Sequence, residues 1–180
     1  MTNNYIHTIK MIIYITGASG SGKTTLLNKI KGYDLDDIYE DNWKKHRKLE
    51  TVQKGVKKDI DLLTSKHKDI VFVGLQGKDQ LVFTPDVVYI LVREDYEQYY
   101  RDKLVRDLNL LCTYKKDFEE VLRKEPFDEF RNHFWSNDIV NMKSFDEFKI
   151  FVNKMNASIQ KDFPKAEVLT ADKIIRKLLN

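Results

Sequence analysis

The apolar positions of this chain fall into two kinds of pattern. Short continuous runs at about 10–16 (ending MIIYIT), "DIVFVG" (69–74) and "PDVVYILV" (85–92) have the length and residue type of strands covered on both faces. "GYDLDDIYE" (32–40) reads as a short second strand ending in acids, and "AEVLT" (166–170) as a short fifth. The other pattern is helical. A helix is expected over Lys23–Lys31, with Gly32 as its C-cap. From about Asp41 to Ser65 the apolar positions Leu49, Val52, Val56, Ile60 and Leu63 form one stripe. Tyr96, Tyr100, Leu104, Leu108 and Leu111 form a second stripe, and Pro126 opens a segment carrying Phe127, Phe130 and Phe134. Ser144 and Glu147 make a capping box ahead of Phe145, Phe148, Val152, Met155 and Ile159. Ile174, Ile175, Leu178 and Leu179 stripe the last helix.

Strands alternating with helices predict an α/β fold: a mostly parallel five-stranded sheet with helices on both faces. Residues 107–164 hold no strand-like run and read as a helical insertion before the last strand. Its aromatics are expected to pack a core, with a lid or base-stacking surface as the other reading. The chain is read as one domain over 1–180, with 1–10 as a polar extension. That extension does not resemble a signal peptide, and Met11 is a second candidate start.

Between the first strand and the first helix lies Gly17-Ala18-Ser19-Gly20-Ser21-Gly22-Lys23-Thr24-Thr25. The spacing Gly17-x-x-x-x-Gly22-Lys23-Thr24 is the Walker A, or P-loop, pattern. A loop that wraps a phosphate chain must turn successive backbone N–H groups inward, which needs positive φ, and glycine reaches it without a Cβ clash. Gly17, Gly20 and Gly22 are placed to supply it. The helix that follows offers its N-terminal N–H groups to the same anion. Lys23 is expected to reach the β- and γ-phosphates, and Thr24 to hold Mg²⁺. ATP and Mg²⁺ are therefore the expected cofactors.

Composition narrows the setting without choosing a function. The net charge of +3 is mild. The single cysteine, Cys112, rules out a disulfide within the chain and fits a reducing, cytoplasmic setting. No apolar run reaches the length of a membrane span. His7, His46, His67 and His133 show no metal-ligand spacing.

Other residues must choose the class of nucleotide chemistry. There is no Asn-Lys-x-Asp base-recognition motif of the GTPase kind, and strand three ends in Gly74-Leu75-Gln76-Gly77 rather than in a Walker B acid. Asp34, Asp36 and Asp37 sit at the expected end of strand two, on the edge of an open α/β sheet that faces a ligand crevice. A carboxylate there can ligate Mg²⁺ through water, orient an acceptor hydroxyl or take its proton. Asp36 is the first choice for that work. The plainer reading is a cap cluster for the next helix, and one acid can cap while another works.

The arrangement resembles the small P-loop kinases of the nucleotide, shikimate and gluconate kinase group. Gly17–Thr24 carries the resemblance, with Asp34-Leu35-Asp36 as the acidic strand-two element and Gly74 and Gly77 as a looser match. Arg101 and Arg106 match the lid arginines in position. The resemblance implies a three-layer P-loop NTPase fold and transfer of a γ-phosphoryl group to a small acceptor, a nucleoside or nucleotide by preference. The chain departs from it in lacking an Asp-Gly after strand three, and its insertion is longer than a simple lid.

Arginine on a transferring phosphoryl group stabilises its transition state. Arg101 and Arg106 are five residues apart, about 140° around a helix, so they cannot both face one ligand. Arg101 is preferred, and Arg93 is a further candidate at the end of strand four. The segment "NWKKHRKLETVQKGVKK" (42–58) holds seven Lys/Arg and one acid. It reads first as a solvated face. Its other reading, a basic face toward nucleic acid, motivates the alternative of an NTPase switch or nucleic-acid-dependent protein.

Overall fold

A computed structural model describes residues 11–74, 77–113 and 144–179, without the side chains of 107–113. The expected extension at 1–10, the segment opened by Pro126, and Leu75 and Gln76 lie outside the described residues. The chain runs β1 (Met11–Thr16), α1 (Lys23–Leu27), β2 (Tyr33–Asp34), α2 (Leu35–Lys45), α3 (Leu49–Lys66) and β3 (Asp69–Val73). A 3-10 turn (Lys78–Gln80), β4 (Val87–Leu91), α4 (Tyr96–Thr113), α5 (Phe145–Asp162), β5 (Glu167–Leu169) and α6 (Ala171–Leu179) follow.

The described residues fall into two compact units. One comprises 11–94 and 154–179, the other 95–113 and 144–153. In the first unit the five strands form an all-parallel sheet in the order β2-β3-β1-β4-β5. Alternation along the strands sorts their side chains onto two faces. Ile13, Ile15, Val71, Val73, Tyr89 and Leu91 pack with Leu26 of α1 and Ile174 of α6. Tyr14, Ile70 and Phe72 pack with Leu35 of α2, with Val52, Val56 and Ile60 of α3, and with Phe163 just past α5. Continuous apolar runs are what a sheet covered on both sides requires.

The sheet order sets the position of the glycine loop. The connection from β1 leads toward β2, and that from β4 leads the other way, to β5. Connections that diverge in this way open a crevice at the carboxyl ends of the two strands. β1 and β4 are paired neighbours, with Thr16 opposite Ile90, so the loop that leaves β1 sits at this opening.

Three expectations are corrected. Residues 32–40 are not one strand: β2 ends at Asp34 and α2 begins at Leu35. Leu35, Ile38 and Tyr39 are spaced i, i+3, i+4 and pack on the core as a helix face, with Asp36 and Asp37 favourably placed in the first turn. The region 41–65 is not one helix either, because the backbone is extended at His46 and Lys48. Finally, α1 closes at Leu27 rather than Lys31. Beyond it the chain tightens into i→i−3 bonds, Lys29 to Leu26 and Ile30 to Leu27, which keep Ile30 on the core. Gly32 is therefore no C-cap. Its role is close approach, since a Cβ there would stand 3.0 Å from the Val71 carbonyl oxygen.

In the second unit α4 and the first part of α5 hold each other through rings. Tyr99 meets Phe148 edge-on at 5.0 Å, and Tyr100 lies 5.2 Å from Phe148. The Tyr96 hydroxyl donates to Asn153 Oδ1 at 2.8 Å. The expected capping box is present: Ser144 N–H donates to Glu147 Oε2 at 2.9 Å, and Glu147 N–H to Ser144 Oγ at 3.3 Å.

Candidate functional site

The Gly17–Thr25 loop is built by backbone conformations that only glycine adopts cheaply. Among the described residues the positive-φ positions are Gly17 (154°), Gly20 (80°) and Gly22 (97°), the three read from the sequence. Gly17 also has no room for a side chain, because a Cβ would lie 2.4 Å from the Leu91 carbonyl oxygen of β4. Gly22 differs: nothing lies within 4 Å of a Cβ built there, so the mouth of the loop is open at that point. Ser21 N–H closes the loop onto the Ala18 carbonyl at 3.0 Å.

Lys23 is buried at the start of α1. Its ammonium donates to the carbonyls of Gly17 at 2.8 Å and Ala18 at 3.2 Å, spanning its own loop. Ala18 is fully buried, Ser19 half-buried, and Thr24 and Thr25 are exposed at the front of the helix. The Ser21 hydroxyl is buried beside Gly17 and has no hydrogen-bond partner among the described residues. Positive φ at Gly20 and Gly22 turns neighbouring N–H groups to one side, which is the geometry of an anion nest. The donor set of amides, one ammonium and hydroxyls suits a phosphate chain. With only five residues, α1 adds little macrodipole, so the loop amides and Lys23 would carry the anion binding.

The three acids separate by role. Asp34 is the last residue of β2 and pairs with Val73, which pairs with Ile15 of β1. Tyr33 packs on the α2–α3 face, so alternation turns Asp34 to the face that carries α1. Asp34 also caps α2, accepting from Asp36 N–H at 2.9 Å. Burial pushes its carboxyl above the ordinary carboxylate value; the Asp36 N–H opposes this, the charges of Asp36 and Asp37 add to it, and the nearby Lys23 ammonium opposes it. Asp36 and Asp37 are exposed in the first turn of α2. The acid associated with Lys23 is thus Asp34, which sequence reasoning ranked behind Asp36. Its signal was the favoured Asp cap at a strand-to-helix junction. Among the described residues no group of three or more His, Cys, Asp or Glu is assembled to hold a metal. Thr24 and a single carboxylate fit Mg²⁺, which takes most of its oxygens from phosphates and water.

Arg93 is half-buried two residues beyond Leu91, whose carbonyl touches Gly17. It shares the carboxyl edge of the sheet with the loop. Arg101 and Arg106 are exposed on α4 in the second unit. In the basic segment Lys44, Lys54 and Lys57 pair with acids on their own helices. Lys45, Arg47, Lys48 and Lys58 are exposed and form no ion pair among the described residues. Among the described residues no helix is long and apolar enough to cross a membrane.

No protein-family model matches this chain, and no curated protein matches it.

Proposed function

We propose that the chain is an ATP·Mg²⁺-dependent phosphotransferase of the three-layer P-loop NTPase type, acting on a small acceptor, a nucleoside or nucleotide by preference. The observation that carries this reading is the Gly17–Thr24 loop. Its three glycines have positive φ, it stands at the carboxyl ends of β1 and β4, and Lys23 lies across it. In this reading the loop amides and Lys23 bind the β- and γ-phosphates, and Thr24 holds Mg²⁺, which neutralises charge on the phosphate oxygens. Asp34 takes the place first given to Asp36, orienting the acceptor hydroxyl or receiving its proton, while Asp36 borders the same site. A carboxyl held above its ordinary pKa is a better proton acceptor than a free one. Arg93 is the arginine nearest the loop along β4 and supplies positive charge to the transferring group.

The test is ADP release from ATP·Mg²⁺ with a panel of nucleosides, nucleotides, sugar acids and oligonucleotide ends, run beside Lys23→Ala. One acceptor should stimulate turnover, and Lys23→Ala should lower it by at least about a hundredfold. Tight ATP binding with no stimulation by any acceptor would overturn the kinase reading.

The alternative is a P-loop NTPase that acts as a switch or on nucleic acid. The four exposed cations Lys45, Arg47, Lys48 and Lys58, which form no ion pair among the described residues, favour it. It requires oligonucleotide binding that weakens steeply with salt, so a gel-shift series without binding at low salt would remove it.

A further inference from the structure

Two buried polar groups on the α2–α3 face of the sheet have no hydrogen-bond partner among the described residues. Thr16 is 1% exposed, and its hydroxyl has no hydrogen-bond partner among the described residues. The buried oxygen of the Asn156 carboxamide, on α5, has none either. A buried polar group left unpaired is costly, and such groups in a folded protein call for an explanation.

Their placement supplies one. Alternation along β1 puts Thr16 on the same face as Tyr14, which packs with Phe163 at 5.8 Å between ring centroids. The chain from α5 leads to the start of β5, so α5 runs against the strands, from their carboxyl ends to their amino ends. Asn156 is seven residues before Phe163, about 10 Å toward the carboxyl edge. Thr16 is two residues beyond Tyr14, about 7 Å in the same direction. Asn156 also stands three residues before Ile159, which packs on this face, so both groups occupy one face near one level. Gly74 follows the end of β3 and donates its N–H to the Ile15 carbonyl at 3.0 Å, so the residue beside Thr16 on that side carries no side chain of its own. Thr16 directly precedes Gly17, so this level borders the glycine loop.

We infer that Thr16 and Asn156 are the binding groups for an uncharged, hydrogen-bonding part of the phosphoryl acceptor, such as a hydroxyl-bearing or amide-bearing ring. This inference rests on the phosphotransferase reading and narrows its acceptor. A hydroxyl and a carboxamide are neutral partners, and neither carries the positive charge that a phosphate or carboxylate would need. The Lys23 ammonium is held by the loop carbonyls, and the proposed function gives Arg93 to the transferring phosphoryl group, so neither of these cations is assigned to an anionic group on the acceptor. The acceptor would therefore enter as a neutral molecule, a nucleoside rather than its monophosphate.

Two variants and a binding measurement test this without relying on turnover. Thr16→Val replaces the unpaired hydroxyl with a methyl group of equal shape. It should raise the Tm of the ligand-free protein by about 3 °C, because a buried unpaired hydroxyl is removed. Calorimetric titration of the protein, with a non-hydrolysable ATP analogue and Mg²⁺ present, would use the four ribonucleosides, their 5′-monophosphates, shikimate and gluconate. At least one nucleoside should bind more tightly than every anion of the panel. Thr16→Val and Asn156→Leu should each weaken it by about tenfold or more, while affinity for the ATP analogue stays within about twofold. Preference for an anion, failure of every nucleoside to bind, or nucleoside binding untouched by both variants would each overturn the inference. Loss of ATP turnover in the acceptor panel, with nucleoside binding intact and variant-sensitive, would count against the phosphotransferase reading alone.

Discussion

Gly17 and Gly22 share a motif and a positive φ, yet a methyl group would meet different surroundings at each. At Gly17 it would collide with the Leu91 carbonyl oxygen, a backbone atom inside the sheet that cannot move aside. At Gly22 it would meet open space and bear backbone strain alone. Gly17→Ala is expected to cost about 3 kcal/mol in urea unfolding, and Gly22→Ala about 1 kcal/mol. Asp34 gives a second prediction at this scale. Its folded carboxyl holds its proton above the ordinary value of 3.8, so the folded state binds more protons than the unfolded one as pH rises through that range. Stability therefore falls as pH rises from 3.8 through the folded value and stays lower above it. Asp34→Asn keeps an acceptor for the α2 cap and abolishes that fall. It should match or exceed the parent's stability at pH 7, with the difference closing in acid, while lowering turnover. A titration showing the parent more stable than Asp34→Asn at pH 7 would contradict the sign. The cluster of acids was legible in the sequence. Which one serves the loop was not, because that depends on whether the strand stops at Asp34 or runs to Glu40, and Leu35, Ile38 and Tyr39 suit either pattern over so short a stretch.

At the scale of elements, the runs at 69–74 and 85–92 were legible because burial on both faces leaves no polar position to confuse the period. Helix ends were less so. The basic stretch 42–58 carries enough helix-forming residues to hide the break at His46–Lys48, beyond which α3 packs against α2. That packing centres on Asn42, which is 2% exposed and donates to the Ile38 carbonyl at 2.9 Å and to Asp59 Oδ2 at 2.8 Å. A Cβ on Gly55 of α3 would stand 2.1 Å from Asn42 Oδ1. Replacing a glycine inside a helix by alanine ordinarily gains about 1 kcal/mol. Here Asn42 cannot swing away without giving up its two bonds, so Gly55→Ala is expected to lose about 1–2 kcal/mol net, measured by urea unfolding. A gain in stability would show that Asn42 yields freely. The Ser144–Glu147 box, by contrast, was legible in full, since its two partners are three residues apart and need nothing from the rest of the fold.

For the molecule as a whole, the order β2-β3-β1-β4-β5 decides which residues meet at the loop. Gly17 touches β4, and Arg93 follows two residues after the contact, in the same unit. Arg93→Ala is expected to lower kcat by about a hundredfold with little change in ATP affinity, read from acceptor-stimulated ADP release. No alternation of apolar residues encodes the order of strands, so this neighbourhood emerged only with the assembled sheet. The same order distributes resilience unevenly. β1, which leads into the glycine loop, is paired on both sides, whereas β2 is an edge strand joined to β3 through Tyr33 and Asp34 alone. The amides of β2 should exchange with solvent through local fraying, and those of β1 only when the domain opens globally. Asp34 is thus mounted on an edge of the sheet that frays early, and the glycine loop on a strand held from both sides. Under the proposed function, rising urea should abolish turnover while ATP is still bound, so that catalysis would fail as a peripheral event before the fold does.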